Sequence, residues 1–281
     1  LVRARGLGDV YKGPNMTLVN AALNYHERGL HYGDGLFETL RKIDGDIPNW
    51  QLHGQRLVKG CKKLYLPIPD LSWLENKVTE VTSNTDTCVV KIMVTRGVGG
   101  RGLNLPDADQ SSVFVLSYPY TRPSNAALKV SVCDTQLPIN ANLSGLKHLN
   151  RLDYVLATIE LNNKQDKDEA ILCDTEGFIV EGIISNLFFS KNCQLFTPSL
   201  SLSGVEGIMR SKIIQHFDKI EESVCIDRFK LDQLLQADEI FLCNSVQGIR
   251  SIGSVNGQTF ETGVTTQLMM KKFNPMPSTH I

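Results

Sequence analysis

Apolar positions along this chain fall into short alternating or continuous runs, separated by stretches with helical spacing. In the first half, residues 16–21 (MTLVNA), 36–43 (LFETLRKI), 88–95 (CVVKIMVT) and 112–117 (SVFVLS) read as strands, the last two rich in β-branched residues. Leu52, Leu57, Cys61, Leu64 and Tyr65 recur with helical spacing and predict a helix over 52–65; another is predicted over 71–81. Residues 118–125 (YPYTRPSN) break the pattern with two prolines among polar positions and are expected to link two domains. A small N-terminal α/β domain would then span 16–117 and a larger C-terminal domain 126–281. Residues 1–15 show no periodicity and are expected to be a leader or remnant ahead of a native start at Met16.

The second half opens with a strand over 127–133. Leu149, Leu152, Val155, Leu156 and Ile159 then recur at i, i+3, i+6, i+7 and i+10, predicting a helix that reaches about Asn162. Short strands are predicted over 169–173, 178–181, 187–189, 195–197, 239–243 and 248–251, with helices over 208–220 and 231–235. Interspersed strands and helices with short connections favour an α+β fold over a doubly wound sheet. Residues 274–278 (NPMPS) read as a loose tail.

Composition narrows the partners. Of the 281 residues 42% are apolar and 21% charged, as in an ordinary globular enzyme. A formal net charge of −1 gives no electrostatic reason to bind nucleic acid or an anionic membrane. No apolar run approaches the ~20 residues that span a bilayer, and no secretory segment opens the chain. Six scattered histidines and seven cysteines without a C-x-x-C pair offer no metal spacing. They point instead to reduced thiols in a cytoplasmic protein.

Five segments bear candidate chemistry. Lys147 follows Gly145 by two residues and stands just before the helical pattern. A lysine held there and partly desolvated can act as a neutral amine, although most lysines are solvated surface groups. Residues 204–210 (GVEGIMR) put a glycine-bearing turn before an amphipathic helix, either an anion site or a plain helix entry. Cys243-Asn244-Ser245 brings polar groups directly after an apolar strand, as a hydroxyl donor or as a simple turn. Arg56, beside the apolar stripe of its helix, carries a rigid fork suited to phosphate or to a surface ion pair. Glu181 lies in an apolar run and needs a partner there, whether a protonated pyridine nitrogen or a buried Arg or Lys.

In this order the segments resemble the fold-type IV family of pyridoxal-phosphate enzymes, which includes branched-chain and D-amino acid aminotransferases and aminodeoxychorismate lyases. The resemblance covers about residues 16–255. It rests on residues 28–41 (RGLHYGDGLFETLR), His53-x-x-Arg56-Leu57, Lys147, Glu181 with Asn186-Leu187-Phe188, residues 207–210 (GIMR) and Cys243-Asn244-Ser245. It implies an α+β fold of two domains with pyridoxal 5'-phosphate between them, usually in a homodimer. It further implies that Lys147 is the Schiff-base lysine and that Glu181 partners the pyridine nitrogen. Arg56, the backbone N–H groups of Ile208 and Met209, and Ser245 would hold the phosphate.

Within the family the chain is most similar to the aminodeoxychorismate lyases, through residues 96–102 (RGVGGRG) and 145–152 (GLKHLNRL). The branched-chain enzymes usually carry a Tyr five residues after the lysine, where Leu152 stands. D-amino acid aminotransferases usually carry Arg-x-His, where Arg101-Gly102-Leu103 stands. Glu38 points the other way, since Glu at that position occurs in aminotransferases; Thr39 fits the lyases. The implied activity is conversion of 4-amino-4-deoxychorismate to p-aminobenzoate and pyruvate, a step of folate biosynthesis. Lys147 would move the proton, Thr39 would assist it or merely fill a strand face, and Arg96 and Arg101 would meet the substrate carboxylates or sit in a solvated loop. An aminotransferase is the alternative, and a non-catalytic binder of the cofactor a remoter one.

Overall fold

The alternating segments of the first half pair into a single five-stranded sheet. A computed structural model describes residues 12–13, 16–18, 24–106, 111–164 and 166–274. Its elements begin with β1 (Lys12–Gly13), β2 (Met16–Leu18), α1 (Arg28–Tyr32) and β3 (Gly35–Lys42). They continue with α2 (Trp50–Leu64), α3 (Leu71–Val81), β4 (Cys88–Thr95) and β5 (Ser111–Pro119). The strand order is β1-β2-β5-β4-β3, with β3, β4 and β5 antiparallel in sequence and β2 parallel to β5. Alternation along β3 sends Leu36, Glu38 and Leu40 toward α2 and leaves Phe37 and Thr39 half-buried on the opposite face. Helix α2 comes close because Gly60 has no side chain: a Cβ there would stand 2.7 Å from Leu36 Cδ1. Asp70 starts α3 by accepting a hydrogen bond from Trp73 N at 2.7 Å.

The second half builds a nine-stranded sheet. Its elements are β6 (Leu128–Leu137), α4 (Leu152–Asn162), β7 (Glu169–Asp174), β8 (Ile179–Gly182), β9 (Asn186–Lys191) and β10 (Gln194–Pro198). Then come α5 (Ile208–Lys219), β11 (Val224–Asp227), α6 (Leu231–Leu234), β12 (Glu239–Asn244), β13 (Gly248–Val255), β14 (Gln258–Thr259) and α7 (Val264–Phe273). The order is β11-β10-β9-β12-β13-β6-β7-β8, with β14 on β13. Both faces of the central strands are covered, which is why they read as continuous apolar runs. Leu187, Phe189, Ile240 and Leu242 enter one core, while Phe188 and Phe241 enter another with Met209 and Ile213 of α5. The rings of Phe188 and Phe241 stack at 5.1 Å.

The chain divides into two compact units, one of residues 1–121 with 147–150 and the other of residues 122–146 with 151–281. Strand β5 therefore runs two residues into the expected linker, and the second unit is interrupted by four residues that belong to the first. Of the segment 1–15 only β1 is described, paired with β2; of the expected tail 274–278, residues 275–278 lie outside the described residues. Helix α4 forms where its periodicity predicts, but the stripe that predicts it faces outward. Leu152 is 70% exposed and Ile159 52%, with Val155 and Leu156 also exposed, while Ala157 is buried. Helix α7 escaped the sequence reading because its covered positions, Thr266 and Met269, do not form an apolar stripe and Leu268 is exposed.

All seven cysteines are free thiols. Among the described residues no helix is long and apolar enough to cross a membrane, and no cluster of His, Cys, Asp or Glu is arranged to hold a metal ion.

Candidate active site

In the first unit, residues 147–149 lie along β3 as a short antiparallel edge. Phe37 N donates to Lys147 O and Leu149 N donates to Gly35 O, each at 2.9 Å. The main chain of Lys147 is thus fixed by sheet pairing rather than by entry into α4, which starts five residues later. Its Nζ stands 4.3 Å from the centroid of the Phe37 ring. On the same sheet face, Thr39 pairs with Lys91 of β4, whose Nζ is 5.2 Å from that ring. Lys91 escaped the sequence reading. The alternation of CVVKIMVT does place it with Val89 and Met93, away from the buried Val90 and Ile92, and that was its available signal.

Glu38 belongs to the opposite face of the strand. Arg56 donates to it twice, Nε to Oε1 at 2.8 Å and Nη2 to Oε2 at 2.5 Å, and His53 Nδ1 lies 2.6 Å from Oε2. Burial raises the pKa of this carboxyl. The charge and hydrogen bonds of Arg56, with His53, outweigh that effect and hold it at about 2. Arg56 is therefore a forked partner of a buried carboxylate, in a setting that fixes its orientation.

The two loop arginines part ways. Arg96 does not stand free for a substrate: Nε and Nη2 donate to Asp34 at 2.8 and 3.1 Å. Its Nη1 donates to Tyr65 O at 2.9 Å and Nη2 also to Leu64 O at 2.8 Å. It ties the carbonyl end of α2 to Asp34, which also takes Arg28 Nε at 2.9 Å. Arg96, expected at the substrate, is engaged here by four hydrogen bonds that hold the fold. Arg101 is exposed, and no hydrogen bond or ion pair of its guanidinium occurs among the described residues.

In the second unit, Glu181 is buried with both oxygens hydrogen-bonded. Oε1 accepts from Tyr154 Oη at 2.6 Å; Oε2 accepts from Asn186 Nδ2 at 2.9 Å and Val205 N at 3.1 Å. Asn186 Nδ2 donates also to Val205 O at 2.9 Å, so the strand carrying Glu181 and the turn before α5 are clasped together. That turn needs its glycines. Gly204 has φ +86°, and a Cβ there would meet Val180 Cγ1 at 2.7 Å and Leu200 Cδ2 at 2.8 Å; a Cβ on Gly207 would overlap Asn186 Oδ1. Gly145 N donates to Gly204 O at 2.9 Å, and Glu206 N donates to Gly145 O at 3.1 Å.

Helix α5 begins at Ile208 with no side-chain cap. Ile208 and Met209 are buried, yet nothing among the described residues accepts from their backbone N–H groups. A buried, uncapped helix start needs an acceptor, and an anion suits it. Arg210, the third residue of the helix, serves the fold instead: it donates to Thr197 Oγ1 at 3.3 Å and Pro198 O at 3.0 Å. Ser245 is half-buried in the turn that joins β12 to β13. Asn244 Oδ1 shapes that turn by accepting from Val246 N at 2.9 Å and Gln247 N at 2.7 Å.

Residues 35–255 match the sequence model of the family described as amino-transferase class IV. An aminodeoxychorismate lyase of Vibrio harveyi is 32% identical over 257 residues, which cover 88% of this chain and 94% of that protein. The crystal structure of 4-amino-4-deoxychorismate lyase from Pseudomonas aeruginosa superposes with a TM-score of 0.82 at 33% identity, over 90% of this chain and 95% of that one. A branched-chain-amino-acid aminotransferase of Escherichia coli (strain K12) is 25% identical over 265 residues, 88% of this chain and 84% of that protein.

Proposed function

We propose, from the premise that this chain belongs to the class IV aminotransferase family, that it is a pyridoxal-phosphate-dependent lyase converting 4-amino-4-deoxychorismate to p-aminobenzoate and pyruvate. The observation that carries the assignment is the sheet-anchored Lys147 with its amine over Phe37, on the face that bears Thr39. Identity alone separates the two branches little, 32% to a lyase against 31% to a protein described as a putative branched-chain-amino-acid aminotransferase, so the choice of the lyase rests on the residues. Glu38, the residue that spoke for an aminotransferase, spends its carboxylate on Arg56 and His53 on the far face of its strand.

The residues fit the cofactor. The uncapped start of α5, with the N–H groups of Ile208 and Met209, suits a phosphate, and Ser245 is proposed to share it; Arg56, expected in the same role from the resemblance, is already forked onto Glu38. Glu181, its plane fixed by three donors, suits a protonated pyridine nitrogen. When bound, pyridoxal phosphate supplies an electron sink for charge left on the substrate carbon.

The chain's own groups then divide the work. Lys147 Nζ would hold the cofactor and, once free, would take the proton from the amine-bearing ring carbon. The ring–oxygen bond to the enolpyruvyl group breaks as the ring becomes aromatic. The departing enolate gains a proton on its methylene carbon to give pyruvate, so atoms balance without a keto-acid acceptor. Thr39, on the Lys147 face, is proposed to assist proton delivery. Arg101 and Lys91 supply cations for the two carboxylates; Arg96 does not.

The outward stripe of α4 supports a homodimer, since four apolar side chains on one helix face are otherwise left to water. A cytoplasmic place in folate biosynthesis follows from the same reading. The test is the product mixture from aminodeoxychorismate without any keto acid, together with borohydride reduction and peptide mapping. Release of p-aminobenzoate and pyruvate, with the reduced adduct on Lys147, is expected. Turnover only with an amino donor and keto acid, or an adduct on another lysine, overturns the reading.

A further inference from the structure

One buried carboxyl takes no part in this chemistry. Glu169 opens β7 and is 4% exposed. Its Oε1 accepts from Ile184 N at 3.1 Å and its Oε2 accepts from Ser185 Oγ at 3.1 Å. These donors belong to the tight turn between β8 and β9, closed by Gly182 N donating to Ser185 O at 2.7 Å. The turn rests directly on the carboxyl, because a Cβ on Gly182 would collide with Glu169 Oε1. Glu181 stands just before this turn and Asn186, which donates to Glu181, just after it.

The same carboxyl reaches a second turn. Ser185 Oγ gives its only proton to Glu169 and accepts from Asn244 Nδ2 at 3.1 Å. With its nitrogen committed to Ser185, the Asn244 amide turns its oxygen to Val246 N and Gln247 N. Those bonds shape the turn that displays Ser245. A serine has one proton and an amide one oxygen: Glu169 takes the first and the N–H groups of Val246 and Gln247 take the second, so the chain is held in one direction from both ends. From Glu169 it runs to Ser185, Asn244 and the Ser245 turn.

We infer that Glu169 is a positioning residue which aligns both ends of the cofactor cradle, the Glu181 end through Ile184 and the Ser245 end through Ser185 and Asn244. The inference rests on the proposed roles of Glu181 and Ser245. Burial pushes the Glu169 carboxyl up to about 7, with the Ile184 N–H, the Ser185 hydroxyl and Arg250 offsetting that in part and Glu181 adding to it. A carboxyl kept at such a disadvantage is a poor stabiliser, which agrees with a role in orientation.

The test compares the parent with Glu169→Gln and Ser185→Ala, using pyridoxal phosphate and phosphate-free pyridoxal as probes. Affinity and the absorbance maximum of the bound chromophore are both read. The Gln amide would present N–H groups to Ser185 and leave the Ser185 hydroxyl proton without its acceptor. Glu169→Gln should therefore weaken pyridoxal phosphate by about tenfold or more and shift the maximum. Ser185→Ala keeps the Ile184 bond, so it should weaken pyridoxal phosphate with the maximum unmoved and pyridoxal affinity unchanged. A folded Glu169→Gln with parental affinity and maximum overturns the inference. If Glu169→Gln does not fold, Ser185→Ala decides, and equal affinity for pyridoxal phosphate overturns it. A parent that binds neither probe overturns the proposed function itself, a failure seen before any variant is compared.

Discussion

Glu38→Gln puts the buried ion cluster of the first unit to a quantitative trial. The carboxyl is held at about 2 against an ordinary 4.5 because Arg56 and His53 repay its burial. At about 1.4 kcal/mol per pH unit, that displacement is worth about 3 kcal/mol of stability at pH 7. Removing one member of a buried pair costs about 3–5 kcal/mol by itself, a consistent range. The amide keeps the shape and loses the charge, so Glu38→Gln is expected to lower unfolding free energy by about 3 kcal/mol in denaturant titrations at pH 7. The sign with pH follows from the depressed value: the contribution is complete above pH 4.5 and is lost as pH falls toward 2. The gap between parent and variant should therefore narrow in that window. A loss under about 1 kcal/mol at pH 7, or a gap that stays constant down to pH 3, would refute the reasoning.

Glu181→Gln should retain bound cofactor and lose most turnover, because an amide cannot hold the ring nitrogen protonated; near-parental turnover with a saturated site would remove that role. Arg101→Ala should raise the Michaelis constant for aminodeoxychorismate with kcat nearly unchanged. Arg96→Ala should instead lower thermal stability, since four hydrogen bonds around Asp34 and the end of α2 go with it. The assignment of the two arginines fails if their effects are exchanged.

Much of this was legible in the sequence, for identifiable reasons. The helix over 71–81 and the strand over 88–95 match α3 and β4 residue for residue, because each has one dominant period and a defined start or stop. Helix α4 was legible as a helix but not in its facing: periodicity reports that a stripe exists, not what covers it. Glu38 and Thr39 are neighbours in the chain and opposites in the sheet, so one is tied to Arg56 and His53 and the next lies on the face of Lys147. Arg96 and Arg101 look alike on a glycine-rich loop, and what distinguishes them is Asp34, sixty-two residues before Arg96, with the carbonyls of Leu64 and Tyr65. Glu169 gave no signal, since its meaning lies in Ser185 and Asn244, distant in sequence and joined to it by hydrogen bonds.

The four residues from Lys147 to Asn150 have a consequence for how this gene can be rearranged. The first unit is not encoded by one continuous stretch: its sheet borrows an edge from within the sequence of the second. A crossover near codon 121 that joined halves from two relatives would pair one parent's β3 with the other parent's lysine segment. Viable chimaeras should therefore be those in which residues 147–150 travel with the N-terminal parent, as a short graft inside an otherwise foreign C-terminal half.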